Sequence, residues 1–186
     1  MKDIPIIFVN NGNPDYFRYV VKQAGASNPD AQIYLIGDRE NSNIGIGQHY
    51  FIDAFSTSAK AFETVYQHLS SNSYEFEIRC FKRWFVIRDF VRDKGLEYFL
   101  CLDSDVLLFC DVRDVFNNFL EYDFTISRGH SPHVTLFHTE SLEVFCNYLL
   151  SLYTKPDYLE RLRMFYQNFI DNNKEGGVCD MTAFGR

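Results

Sequence analysis

Short apolar runs alternate along the chain with stretches of helical period, the pattern of an α/β fold with a mostly parallel central sheet flanked by helices. Ile4–Val9 is one such run and predicts a buried strand, stopped by the turn cluster Asn10-Asn11-Gly12-Asn13-Pro14. Asp15–Ala26 predicts a helix with Phe17, Val20, Val21 and Ala24 on one face. Ile33–Ile36 predicts a second strand, ended by Gly37-Asp38. A polar loop over 39–48 leads to a short strand at Tyr50–Ile52. Helices are predicted over Ala59–Leu69 and Glu75–Asp93. In the second, Cys80, Trp84, Ile87 and Val91 fall 4, 3 and 4 apart on one apolar stripe, and Gly95 ends it.

Tyr98–Leu102 is apolar throughout, as in a strand buried on both faces, and runs directly into Asp103-Ser104-Asp105. Beyond it, Asp111 is placed to cap a helix carrying Val112, Val115, Phe116 and Phe119. Strands are predicted at Phe124–Ser127 and Val134–Phe137. Thr139 is placed to cap a helix holding Leu142, Phe145, Leu149 and Leu152, and Pro156 opens a last helix through Phe169.

Composition then narrows the classes. The chain's 186 residues match one domain of ordinary size. An aromatic fraction of 17% excludes disorder, and a net charge of −7 excludes the basic footprint of a nucleic-acid binder. An acidic protein that handles phosphates must neutralise them locally, with a metal or a few placed cations. No transmembrane run is present, and the start MKDIPIIFVNN lacks a signal-peptide core and cleavage site. Five cysteines, at 80, 101, 110, 146 and 179, form no C-x-x-C pair. They predict reduced, mostly buried thiols and a cytoplasmic protein.

The Asp-x-Asp at 103 and 105 is the central chemical signal. With 15 Asp in the chain, roughly one such pattern arises by chance, so its weight comes from context. Two carboxylates close a wholly apolar strand, and open α/β sheets bind ligands at the carboxyl ends of their strands. Adjacent carboxylates repel, and a hard divalent cation such as Mg²⁺ or Mn²⁺, completed by water and a diphosphate, relieves that. The competing reading is a strand-end turn with solvated acids. His130, His133 and His138 match no common zinc spacing and read as loop and strand-end residues.

YFLCLDSDVLLF resembles the metal-binding segment of nucleotide-sugar glycosyltransferases of the GT-A fold. The stretch from Ile4 to Asp38 resembles their opening strand–helix–strand, and Phe76–Asp105 their helix leading into the D-x-D strand. GGVCDMTAFG is similar to a downstream segment that brings an acid near the donor sugar. The resemblance implies a GT-A-like fold and Mn²⁺- or Mg²⁺-dependent transfer from a UDP- or GDP-sugar to a glycan or other hydroxyl acceptor. It implies Asp105 as metal ligand, Asp103 on the metal or the ribose, and Asn10, Asn11 and Asp38 near the base and ribose. It implies Arg83 near the diphosphate or sugar, and Asp180 on a sugar or as catalytic base. For Arg83 an exposed helix position, and for Asp180 a plain helix start, stand as equal or near-equal readings. The chain ends six residues after Asp180, where the resemblance calls for a further metal ligand. A single glycosyltransferase-like domain over 1–186 is therefore expected, with its C-terminal part either minimal or missing.

Two other functions fit the pattern. A haloacid-dehalogenase-like phosphatase would use Asp103 as nucleophile, although there the motif usually follows the first strand. A transferase-like domain that binds without catalysing is the other.

Overall fold

The computed structural model describes residues 3–185; Met1, Lys2 and Arg186, which belong to the termini read above, lie outside the described residues. β1 (Ile6–Asn10), β2 (Ile33–Gly37), β3 (Gln48–Phe51), β4 (Tyr98–Leu102) and β5 (Val134–His138) form a sheet of order β3-β2-β1-β4-β5. β1 runs parallel to β2 and to β4, and β2 parallel to β3; β5 is antiparallel to β4. The fold is thus mixed α/β with a mostly parallel sheet and helices on both faces, as the apolar runs imply.

Strand alternation sends neighbouring residues to opposite faces. Ile6, Phe8, Ile33, Leu35, Leu100 and Leu102 pack with α1 (Phe17–Ser27) and α4 (Val112–Phe116). Ile7, Tyr34, Ile36, Phe99 and Cys101 pack under α3 (Tyr74–Lys94), with α2 (Thr57–Glu63) and α5 (Thr139–Thr154) beside it. α6 (Pro156–Asp171) lies against α5, and α7 (Asp180–Phe184) touches α3. Phe81, Phe85, Ile87, Phe90 and Val91 of α3 are buried, each contributing about 1.5–3 kcal/mol against the cost of ordering it. Ser73 caps α3 by accepting the Phe76 N–H at 3.3 Å, and Gly95 closes it at φ 63°.

The structure departs from the sequence reading in four places. The helix expected over Ala59–Leu69 is only α2; after Glu63 the chain turns, Tyr66 enters a ring cluster with Phe62, Phe81 and Tyr153, and Leu69–Ser71 pair with the tail. Phe124–Ser127 makes no ladder, because the Thr125 hydroxyl accepts the Leu136 N–H at 3.0 Å; only isolated bridges remain. Thr139 is not a cap: it lies inside α5, and its hydroxyl donates to the Leu96 carbonyl. Tyr50–Ile52 gives way to β3 at Gln48–Phe51, with Ile52 opening a short 3₁₀ turn. Among the described residues no helix is long and apolar enough to cross a membrane, and all five cysteines are free.

Candidate functional site

Strand order 3-2-1-4 reverses direction between β1 and β4, so their connections leave a crevice outside the carboxyl ends of these two strands. Asn10 ends β1 there with Asn11 just after it, and Asp103 and Asp105 follow β4. The Asp103 N–H donates to the His133 carbonyl at 2.9 Å and its own carbonyl accepts from Val106 at 3.1 Å, so the acidic turn is held at both ends. Asp103 is half-buried and Asp105 exposed.

Arg83 reaches this turn from α3. One guanidinium nitrogen, Nη1, is ion-paired with Asp103 Oδ1, and Nη2 bonds Asp180 Oδ2 at 2.8 Å. Asp180 is only 4% exposed, and its donors account for that burial. Trp84 Nε1 donates to Oδ2 at 3.0 Å and the Met181 N–H to Oδ1 at 3.0 Å. Burial alone would lower the Arg83 guanidinium; Asp180 and then Asp103 outweigh it and raise it above its ordinary value, so it stays charged. Burial also pushes the Cys80 and Cys101 thiols up, each to about 12, so neither is a thiolate at neutral pH.

Asp180 is carried in by the tail. Val178 N–H donates to the Leu69 carbonyl at 2.8 Å and Ser71 N–H to the Gly176 carbonyl at 3.0 Å. Gly177 is required at this approach: its φ is 150°, and a Cβ would lie 2.4 Å from the Leu69 oxygen. Asp180 then opens α7, whose entry is tied by the Cys179 N–H donating to the Thr182 hydroxyl at 3.2 Å. Both readings of Asp180 meet here, since a helix-start acid is also a partner of Arg83.

The crevice is a trough of three connected recesses. One of about 470 Å³ is lined by Glu77, Cys80, Arg83, Asp103, Asp105 and Asp180. It shares Val9, Tyr16, Phe76, Cys80 and Arg83 with a second, of about 480 Å³, lined also by Asn10, Asn11, Lys60 and Arg79. The second shares Ile52 and Asp53 with a third that contains Asp38. Six of the seven expected site residues therefore border the first two recesses. Asp38 stands one recess away and is occupied as a staple: Oδ2 accepts the Gly12 N–H at 2.6 Å and Oδ1 the Glu40 N–H at 2.9 Å. Asn10 makes a similar loop bond, donating to the Gly12 carbonyl at 2.9 Å.

No three His, Cys, Asp or Glu side chains among the described residues are grouped to enclose a metal ion. Asp103 keeps one oxygen outside the Arg83 pair, and Asp105 is an exposed residue. This donor set fits a hard cation held by one or two carboxylates that takes the rest of its shell from water and ligand phosphates, not a closed protein cage.

Two residues belong to the site that the sequence reading left out. Trp84 reads from its stripe as core, and it is fully buried, yet its N–H is a partner of Asp180; a buried indole needs such an acceptor. Glu77 precedes Cys80 by three on the same stripe. An acid in an apolar stripe was the available signal, and Glu77 is 1% exposed.

No family model matches the chain, and no curated protein does. Among solved structures, the glycosyltransferase GlyE of Streptococcus pneumoniae TIGR4 matches at 17% identity and TM-score 0.45, over 100% of this chain and 43% of that one. Its apo form matches at 17% identity and TM-score 0.48, over 97% and 46%. A glycosyltransferase involved in glycosylation of the major capsid of PBCV-1 matches at 13% identity and TM-score 0.43, over 90% and 74%. The chain thus spans less than half the length of GlyE. Likenesses this loose assign no role to any residue here.

Proposed function

We propose that this chain is a nucleotide-sugar-dependent glycosyltransferase domain, with the donor laid along the trough. The observation that carries the reading is the constellation of Arg83, Asp103, Asp105 and Asp180 at the strand-order reversal, where an α/β sheet receives its ligand. The recess with Asn10 and Asn11 suits a base and ribose. Tyr16 and Phe76, 49% and 51% exposed at its mouth, offer ring faces. Lys60 and Arg79 line the same recess without an acidic partner among the described residues, which supports an anionic occupant in a protein of net charge −7.

Asp103 and Asp105 would hold Mn²⁺ or Mg²⁺ against the donor diphosphate. Such an ion, when bound, supplies Lewis-acid stabilisation of the leaving nucleotide. Arg83 supplies a fixed positive charge at the same place, preorganised by its two carboxylates. Asp180, with both oxygens engaged, positions Arg83 in this arrangement; service as base for an acceptor hydroxyl requires those bonds to open. The phosphatase alternative needs Asp103 as a free nucleophile, and the Arg83 ion pair disfavours it.

The test is thermal stability with UDP or GDP, each with and without Mn²⁺ or Mg²⁺. A pair at a hundredfold excess over its Kd adds about 2.7 kcal/mol, which is several degrees in Tm for a chain of this size. The expected result is a shift for one nucleotide that needs the metal. No shift for any pair overturns the proposal.

A further inference from the structure

Ser73 caps α3, so Asn72 is the residue before the cap and Glu77 the fourth residue of the helix. Those two positions often hold apolar side chains that pack together and fix how the chain enters the helix. Here they hold a polar pair. Asn72 Nδ2 donates to Glu77 Oε1 at 2.7 Å, and the Ser70 hydroxyl donates to the same oxygen at 2.9 Å. Glu77 is 1% exposed. Burying a carboxylate is far costlier than burying an aliphatic side chain that would fix the entry equally well. What the polar pair gains over an apolar one is a fixed orientation for the Asn72 amide.

The backbone of Asn72 is held as well: its N–H donates to the Ser70 hydroxyl at 3.2 Å, and its carbonyl accepts from His68 Nε2 at 2.9 Å. With Nδ2 drawn to the carboxylate, Oδ1 is the amide's other end, and it has no protein partner among the described residues. Unlike Glu77, Asn72 is an exposed residue, and it lines the recess of Arg83, Asp103 and Asp180. That recess shares Arg83 with the one given above to base and ribose, and Asn72 borders only the former. A donor with its base in the second recess and its diphosphate at Arg83 has its sugar left to enter the part that Asn72 borders. We infer that Asn72 is a specificity-determining residue for the transferred sugar, its Oδ1 accepting from one sugar hydroxyl, with Glu77 as the positioning residue that holds the amide. The inference rests on the donor reading above and adds to it a determinant of which sugar is accepted. A site built to pair with a hydroxyl rejects the analogue lacking it more strongly than a change of apolar size would.

The experiment is a chemical double-mutant cycle on the full chain. UDP, GDP, UDP-glucose, UDP-galactose, UDP-N-acetylglucosamine and GDP-mannose are titrated with Mn²⁺ into wild type, Asn72→Ala and Glu77→Met. Deoxy and deoxyfluoro forms of whichever sugar nucleotide binds best then follow, one sugar hydroxyl at a time. In wild type, one deoxy form should bind about tenfold more weakly than its parent, and the matching deoxyfluoro form, which cannot donate, should do no better. In Asn72→Ala that penalty should largely vanish, while affinity for the bare nucleotide, which stops short of Asn72, is unchanged. Glu77→Met frees the amide to turn and should shrink the same penalty. If a variant does not fold, Asn72→Ser or Glu77→Gln takes its place in the same cycle. Equal penalties in wild type and Asn72→Ala, or no penalty at any hydroxyl in wild type, overturn the inference and leave the donor reading standing. A penalty that Asn72→Ala removes and the Glu77 variant keeps overturns the positioning role of Glu77. A wild type that binds none of these compounds overturns both the inference and the donor reading.

Discussion

Arg83 satisfies two carboxylates with the two ends of one planar fork, Asp103 on one side and Asp180 on the other. Its own side chain is 19% exposed and that of Asp180 5%, so removing the guanidinium leaves a buried negative charge that only Trp84 and a backbone N–H still meet. Breaking such a pair from one side costs about 3 kcal/mol. Arg83→Met should therefore lose roughly that much in urea unfolding, and Arg83→Lys an intermediate amount, because an ammonium cannot bridge both partners. A loss of under ~1 kcal/mol for Arg83→Met would mean that Asp180 finds another donor, and the constellation would lose its keystone.

At the scale of elements, the tail over 176–178 behaves as an extra edge against 69–71, although neither segment counts as a strand in the main sheet. Gly177→Ala would drive a Cβ into the Leu69 carbonyl and the Ser70 backbone at a φ that alanine avoids. The expected outcome is a loss of about 2 kcal/mol or more, with hydrogen exchange at Val178 and through α7 rising while β1 and β4 stay protected. Uniform protection in the variant would show that the tail is not held by this contact. β1, β2, β4 and β5 were legible in the sequence because each is a buried apolar run, Tyr98–Leu102 being covered on both faces; β3, at the sheet edge with no buried residue, was displaced by two residues in the reading. The end of α2 was not, since Val65 and Leu69 continue the helical period and only the tail, more than 100 residues later, draws Leu69–Ser71 away from it. In the site, Asp103 and Asp105 were visible from the strand they close. Trp84 as a partner of Asp180 was not, because a contact across 96 residues leaves no local trace.

At the scale of the whole molecule, burial of ionisable groups sets how stability responds to alkali. Cys101 is 2% exposed and its thiol is raised from 9.0 to about 12 by burial, with Cys80 raised likewise. A folded-state value above the unfolded one gives stability that is whole below pH 9 and drains away between pH 9 and 12. By pH 10 each thiol should have cost on the order of 1 kcal/mol. Cys101→Val should accordingly flatten the fall in Tm between pH 8 and 10 relative to wild type, and an unchanged slope would show that the thiol is not the group being titrated.

The chain contains a single tryptophan, and it stands at the junction of core and trough. Its ring lies against Phe137, Phe145 and Phe184, its N–H rests on Asp180, and the Arg83 guanidinium sits 4.7 Å from its centroid. An indole's emission shifts with the electric field across it, and here that field is made largely by the two charges a ligand must compete with. The site therefore carries its own optical gauge: whatever moves Arg83 or Asp180 changes the colour of the one indole in the molecule, which excitation at the red edge separates from the twelve tyrosines, and occupancy reads out with no label attached.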